Sequence, residues 1–377
     1  MKRFLLLVRA ASGVGVAVFC YLGGMKSFAD PAVADPRAAE IEELEKQLGA
    51  IDETRNPGEW SNAAQKLEIA LYEHGRYGEA EPLARELIEK GTKRLGAEHP
   101  HTLACVTNLA GLLQAKGDYV GAERHFREAL RGTQKVLGAL HPDALKNVMG
   151  LANVYRARGE FAEAEPLYRL ALEAREKTLG AGNPDTLNSA NNLAVLFSMQ
   201  GDYAQAEPLF RRALAGREKA LGEENAATLD SVNDLGSMFT AKGEFAAALP
   251  FYRRALAARE KSLGAEHPDT LVSVTNLANV LSKTGGTIEA EQLYERALDT
   301  RRKIFGLDHP AVAEVAFNYA LLCGDLNRLQ QTLRLARQAA DIGRKKLPAN
   351  HPTRKACEEL LEKVEAFAKE KALLPKK

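Results

Sequence analysis

Four cysteines in a chain of 377 residues, Cys20, Cys105, Cys323 and Cys357, are too few and too scattered to build a disulfide framework. Charge of one sign is missing as well: 51 Lys and Arg against 50 Asp and Glu leave a formal net charge of +1. That balance argues against nucleic acid as the main partner, because phosphate binding needs a concentrated basic face. There is no H-E-x-x-H, no C-x-x-C and no G-x-x-x-x-G-K-[ST], and no serine or cysteine stands in a nucleophile motif. No catalytic residue, no metal site and no cofactor is therefore expected. What is present is an ordinary globular balance, 45% hydrophobic and 27% charged, which excludes a disordered or collagen-like chain. Length alone allows two to three domains of roughly 150 residues.

Residues 1–34 read as a secretory signal peptide. Basic and apolar residues (MKRFLLLVR) lead into the uncharged stretch 12–24, and small residues follow at Ser27-Phe28-Ala29 and Ala32-Val33-Ala34, each with the −3 and −1 pattern of a cleavage site. The uncharged run falls short of the ~20 residues that a spanning helix needs. Including Phe4 to Met25 gives a longer segment, so an uncleaved N-terminal membrane anchor is the alternative. Gly13-Val14-Gly15 lies inside this leader and carries no weight as a nucleotide loop. Bulky Phe19 before Cys20 argues against a lipoprotein site. The expected location is the bacterial periplasm or cell envelope. Cleavage would leave three cysteines, read as small buried hydrophobes.

The remainder is one repeat. Leu95, Leu137, Leu179, Leu221 and Leu263 each open a Leu-Gly pair, Phe305 and Leu347 continue the series, and every gap is 42 residues. Counted from that residue, +22 is Gly75, Gly117, Gly159, Gly201, Gly243 and Gly285, and +27 is alanine from Ala80 to Ala290. Position +31 is Phe126, Tyr168, Phe210, Tyr252 and Tyr294, and +34 is alanine from Ala129 to Ala297. A fixed period of this length marks a stack of supersecondary units. Residues 53–346 make seven units, the first and last degenerate; 35–52 read as a short charged helix or linker, and 347–377 as a capping helix and tail.

Each unit reads as two helices, the first from about +6 to +20 and the second from the Gly-Asp or Gly-Glu turn at +22 to about +40. Alanine at +27 and +34 permits close helix approach. Pro82, Pro166, Pro208 and Pro250 at +29 sit past the first turn, where a tolerated local kink is expected. One hairpin cannot bury its own apolar face, so neighbours share a continuous core and the ends need polar caps such as Arg354–Lys371.

The segment N-N-L-A-V-L-F-S-M-Q-G-D-Y-A-Q-A-E-P-L-F-R-R-A-L at 191–214 resembles a tetratricopeptide repeat. Together with the linker L-G-A-E-H-P-D-T-L at 263–271, the 42-residue period is similar to the kinesin light chain and nephrocystin type. The resemblance implies an all-α fold, an α-solenoid forming a right-handed superhelix of helix-turn-helix units. It further implies binding of peptides or partner proteins in a concave groove lined by the first helices. Kinesin light chains also carry a heptad coiled coil, where this chain offers at 37–48 only one short charged helix, so transport along microtubules does not follow.

Three recurring polar series are candidates for function. His99, His141, His267, His309 and His351 stand at +4, each before proline, with Asn183-Pro184 replacing the pair once. Equivalent positions lie ~8–10 Å apart, too far for one metal, and the pattern is that of a helix start. Arginine at +38 (Arg175, Arg217, Arg259, Arg301) and lysine at +40 (Lys177, Lys219, Lys261, Lys303) read as a solvated outer face, since Glu176, Glu218 and Glu260 lie between them. Asparagine is the most informative. Position +13 is Asn108, Gly150, Asn192, Asp234, Asn276 and Asn318; +16 adds Asn153 and Asn279, and +12 adds Asn191 and Asn233. Asparagine is a mediocre helix former, so its return in mid-helix needs a reason. Two reasons stand open: these amides line a peptide groove together with Lys146, Arg156, Asn188 and Lys283, or they tie neighbouring hairpins together. The expected function is a non-enzymatic scaffold for a protein or peptide partner. The alternative is a structural spacer that works through its ends and convex face.

Overall fold

The computed structural model describes residues 38–52, 55–73, 75–349 and 351–373, so the leader expected at 1–34 lies outside the described residues. Among the described residues the regular structure is helix alone, in sixteen elements. They are α1 (Ala38–Ala50), α2 (Pro57–Glu73), α3 (Tyr77–Leu95), α4 (Pro100–Ala115), α5 (Tyr119–Leu137), α6 (Pro142–Ala157), α7 (Phe161–Leu179) and α8 (Pro184–Gln200). Then follow α9 (Tyr203–Leu221), α10 (Ala226–Ala241), α11 (Phe245–Leu263), α12 (Pro268–Thr284), α13 (Thr287–Phe305), α14 (Pro310–Asp325), α15 (Leu329–Lys346) and α16 (Pro352–Leu373). The described residues divide into two compact blocks, 38–220 and 221–373. Both belong to the all-α solenoid class. None of the described helices is long and apolar enough to cross a membrane.

The 42-residue register sets the boundaries. First helices open at +5, or at +4 in α2, most often on a proline whose fixed φ suits the first helical position, and second helices run from +24 to +42, or to +41 in α15. Two glycine series end them. Glycines at +22, such as Gly201 (φ 79°, ψ 6°), take the left-handed conformation that closes the first helix. Those at +1, such as Gly306 (φ 84°, ψ 170°), lie in a region that glycine alone enters cheaply. In the last unit Asn327 stands at +22 with φ 58°. The second helices run unbroken through Pro82, Pro166, Pro208 and Pro250. Each of these prolines forfeits one backbone donor, and the apolar stripe continues on both sides of it.

Packing explains the composition. The alanines at +27 and +34 are fully buried, and the aromatic at +31 fills the space beside them. Helix α1, expected as a short charged helix or linker, sits at +27 to +39 of the register, the place of a second helix. Its Ile41, Leu44 and Leu48 pack on Leu67, Ala70 and Leu71 of α2. At the other end α16 occupies the place of a first helix, +5 onward from Leu347. Among the described residues the helical series thus opens on a second helix and closes on a first.

Candidate functional site

The +4 series does what its spacing predicted. Nδ1 of His99, His141, His267, His309 and His351 accepts the backbone N–H two residues on, at 3.1–3.2 Å, and the side-chain oxygens of Asn183 and Asn225 do the same. No group of three or more His, Cys, Asp or Glu gathers into a metal site among the described residues. Burial lowers the pKa of His351 from its ordinary value, so the fold favours its neutral, cap-forming state. The stability this cap contributes is complete above about pH 6.5, the unfolded value, and is lost as pH falls through the lower folded value. In thermal melts from pH 7.5 to 5 the loss of stability should be smaller in His351→Asn, the residue used at two other caps, by up to about 1 kcal/mol. An equal loss in that variant would refute the assignment.

The arginines at +38 require a correction. They are not on a solvated outer face: Arg175, Arg217, Arg259 and Arg301 are all more than nine-tenths buried. A period of 3.6 places +38 one helical repeat after +31, on the stripe that faces the core. From there the guanidinium reaches the first helices on either side. Arg175 donates to Asp185 O (3.0 Å) and Ser189 Oγ (2.9 Å) of α8, and Arg217 to Asn188 Oδ1. In the C-terminal block Arg259 joins α10 to α12, through Asp230 Oδ1 at 2.8 Å and Ser273 Oγ at 2.9 Å. Arg301 donates to Ala311 O and Glu314 Oε2 of α14 and to Leu271 O of α12. The fork is the reason for arginine: five donors in a fixed plane serve two helices at once. The lysines at +40 remain on the surface, as expected. Lys177 pairs with Glu173 at 2.6 Å and Lys261 with Glu224 at 2.5 Å.

Most of the candidate asparagines are engaged within the repeat itself. Tyr168 Oη donates to Asn153 Oδ1 at 2.5 Å and Tyr294 Oη to Asn279 Oδ1 at 2.6 Å, each inside one hairpin. Asn276 Nδ2 donates to Asn233 Oδ1 at 2.9 Å, joining α12 to α10. Asn108 Nδ2 donates to Glu68 Oε2 at 3.4 Å, joining α4 to α2. Asn192 Nδ2 bonds the carbonyl of Asn188, one turn back. Asn191 and Asn318 are buried, and Asp234 is half-buried. In the N-terminal block Lys146 and Asn188 are exposed, and Arg156 and Asn192 half-buried, on α6 and α8. In the C-terminal block Lys283 of α12 lies 4.0 Å from Asp325 of α14. The three described cysteines are buried thiols, Cys105 pushed up to about 11 and Cys323 and Cys357 to about 12 mainly by burial, which removes them as nucleophiles.

An α-solenoid of stacked helical hairpins, with a polar stripe on its first helices, defines a protein-interaction scaffold, a class that is typically non-catalytic. Tetratricopeptide repeat family models match residues 143–219, 224–303 and 273–345, and a second model of that repeat matches 69–101 and 102–143. The chain belongs to the tetratricopeptide repeat family, with units of the 42-residue kinesin light chain type. Among solved structures it is similar to BtubC (BKLC) from P. vanneervenii, at 25% identity and a TM-score of 0.54, over 61% of this chain and 92% of that one. A Podosopora anserina kinesin light chain with nearly identical TPR-like repeats is 27% identical, with a TM-score of 0.45, over 54% and 96% of the two chains. A Rap protein complexed with competence and sporulation factor is 13% identical, with a TM-score of 0.54, over 89% and 98%, a likeness of fold. No curated protein matches the chain.

Proposed function

We propose that the chain is a non-enzymatic adaptor which holds an extended segment of a partner protein along its first helices, in the cell envelope, with an uncleaved leader as the alternative to free export. The observation that carries this reading is the set Lys146, Arg156, Asn188 and Asn192, which keeps charge and amide groups within reach of solvent on adjacent first helices. Amide and ammonium groups suit the alternating carbonyls and N–H groups of an extended backbone. Affinity for one short segment is roughly micromolar, because the bound chain must be ordered. Asn276 and Asn233 are poor probes of this face, since each completes the other's hydrogen bond.

The test is cross-linking capture from the envelope fraction, comparing the wild type with the double variant Lys146→Ala/Asn192→Ala. Loss of a charged and a neutral hydrogen bond should reduce the captured partner about tenfold or more, with helicity unchanged. Equal capture by both proteins moves the function to the ends and the outer face, the spacer reading that the internal engagement of Asn153, Asn233, Asn276 and Asn279 favours. A chain absent from that fraction removes the envelope assignment.

A further inference from the structure

Position +15 of the repeat is Ala110, Ala152, Ala194, Gly236, Ala278 and Ala320 in six units, each of them buried. In the first unit the same position on α2 is Glu68, and it is 3% exposed. A carboxyl group thus stands where the packing of the other units takes the smallest side chains. Among the described residues its carboxyl takes one hydrogen bond, the 3.4 Å contact from Asn108 Nδ2 across the α2–α4 junction, and no cation lies within ion-pair distance of it. A buried carboxylate without a close cation is costly.

The groups around it oppose one another. Lys146 of α6 favours the anion through its charge, and Asn108 of α4 through its hydrogen bond. The Cys105 thiol of α4, 4.0 Å from His101 Nε2, is made harder to ionise by the Glu68 charge. Helices α1 and α3 pack apolar side chains on α2, Ile41, Leu44, Leu48, Ala80 and Leu83, and α3 adds the Lys90 ammonium over the Trp60 ring. Burial outweighs the two favourable contacts and pushes the carboxyl up to about 7.

We propose that Glu68 is a pH-dependent latch on the N-terminal hairpin: protonated it lets α2 dock tightly on α4, and ionised it loosens that junction. The latch is independent of the groove reading. The sign follows from linkage. An undocked Glu68 ionises near its ordinary value of 4.5, whereas the docked one holds its proton to about 7. Docking is therefore strongest at low pH and weakens as pH rises, with the loss complete once pH passes about 7. Between pH 5.5 and 8 the docked-to-undocked ratio falls roughly 30-fold.

Trp60, the one tryptophan of the sequence, lies on α2 itself with Lys90 Nζ 3.6 Å from its ring centre. Its fluorescence, and the hydrogen exchange of α2 amides corrected for intrinsic rates, follow the junction in the full chain. The wild type should show a transition centred near pH 7, with α2 opening about 30-fold more at pH 8 than at 5.5. Glu68→Gln and Glu68→Ala, the latter restoring the alanine of five other units, should be flat across that range and at least as protected at pH 8 as the wild type is at 5.5. A transition that persists in Glu68→Gln would belong to another group and overturn the proposal, as would a wild type without any transition.

Discussion

Replacing Arg259 by alanine should destabilise the C-terminal block by about 3 kcal/mol, within the 2–5 kcal/mol range for removing a buried, multiply bonded side chain. Three terms add. The guanidinium volume becomes a cavity in a place more than nine-tenths buried. Ser273 Oγ and Asp269 O lose a charged donor, at 2.9 and 3.4 Å. Asp230 loses its 2.8 Å ion pair, but its side chain is 65% exposed and water replaces the partner, so this term is the smallest. Arg259→Lys keeps the charge and loses the fork, and recovers less than half. Arg259→Met refills the volume and should come nearer to wild type than alanine does, because a buried ion pair can be matched by an apolar side chain of similar size. The control is Lys261→Ala. It lies two residues on, in an ion pair exposed on both sides, and should cost under ~0.5 kcal/mol. Urea unfolding followed by circular dichroism measures all four. A loss below about 1 kcal/mol for Arg259→Ala would return the arginine series to the surface.

That arginine series marks the limit of what sequence reading reached. The period, the helix pairs and the histidine and asparagine caps were legible, because each rests on a local rule: proline at the first helical position, a cap before it, glycine where φ is positive. The direction of Arg259 depended on a choice between two local cues. Its neighbours Glu260 and Lys261 suggested a solvated helix end, while the 3.6 period from Tyr252 at +31 and Ala255 at +34 put +38 on the buried stripe. The periodic cue was the stronger, since packing and not composition sets which way a helix faces. The role of α1 was hidden for another reason. The 13 residues from Ala38 to Ala50 keep no repeat signature beyond their spacing from Leu95, and only contact with α2 identifies them. The candidate site was half legible. Sequence found the asparagines but could not tell a ligand-facing amide from one facing another helix, because both lie on the same half-buried stripe.

For two of them the repeat carried the answer within itself. The +31 and +16 residues of each unit change together: Tyr168 with Asn153, Tyr252 with Ser237 and Tyr294 with Asn279, but Phe126 with Gly111 and Phe210 with Val195. A hydroxyl on the second helix is met by a polar side chain on the first, with Tyr252 Oη 3.2 Å from Ser237 Oγ in the middle case. Where the hydroxyl is missing, so is its partner. The hairpin of residues 184–221 is thus a natural double variant of its neighbour, and Tyr168 and Asn153 should behave accordingly. Asn153→Val leaves the Tyr168 hydroxyl unpaired at a fully buried position and should cost about 2 kcal/mol. Tyr168→Phe leaves Asn153 half-buried, where its amide turns to water, and should cost about 1 kcal/mol. The double variant reproduces the Val195–Phe210 pair and should lie within about 0.5 kcal/mol of wild type, a coupling of roughly 3 kcal/mol between the two sites. Burial pushes the Tyr168 phenol up to about 12, which keeps it a donor to Asn153 at neutral pH. Additive losses in the cycle would mean that Asn153 serves something other than Tyr168, and would restore it and Asn279 to the partner-binding face. Strong coupling would leave that face to Lys146, Arg156, Asn188 and Asn192.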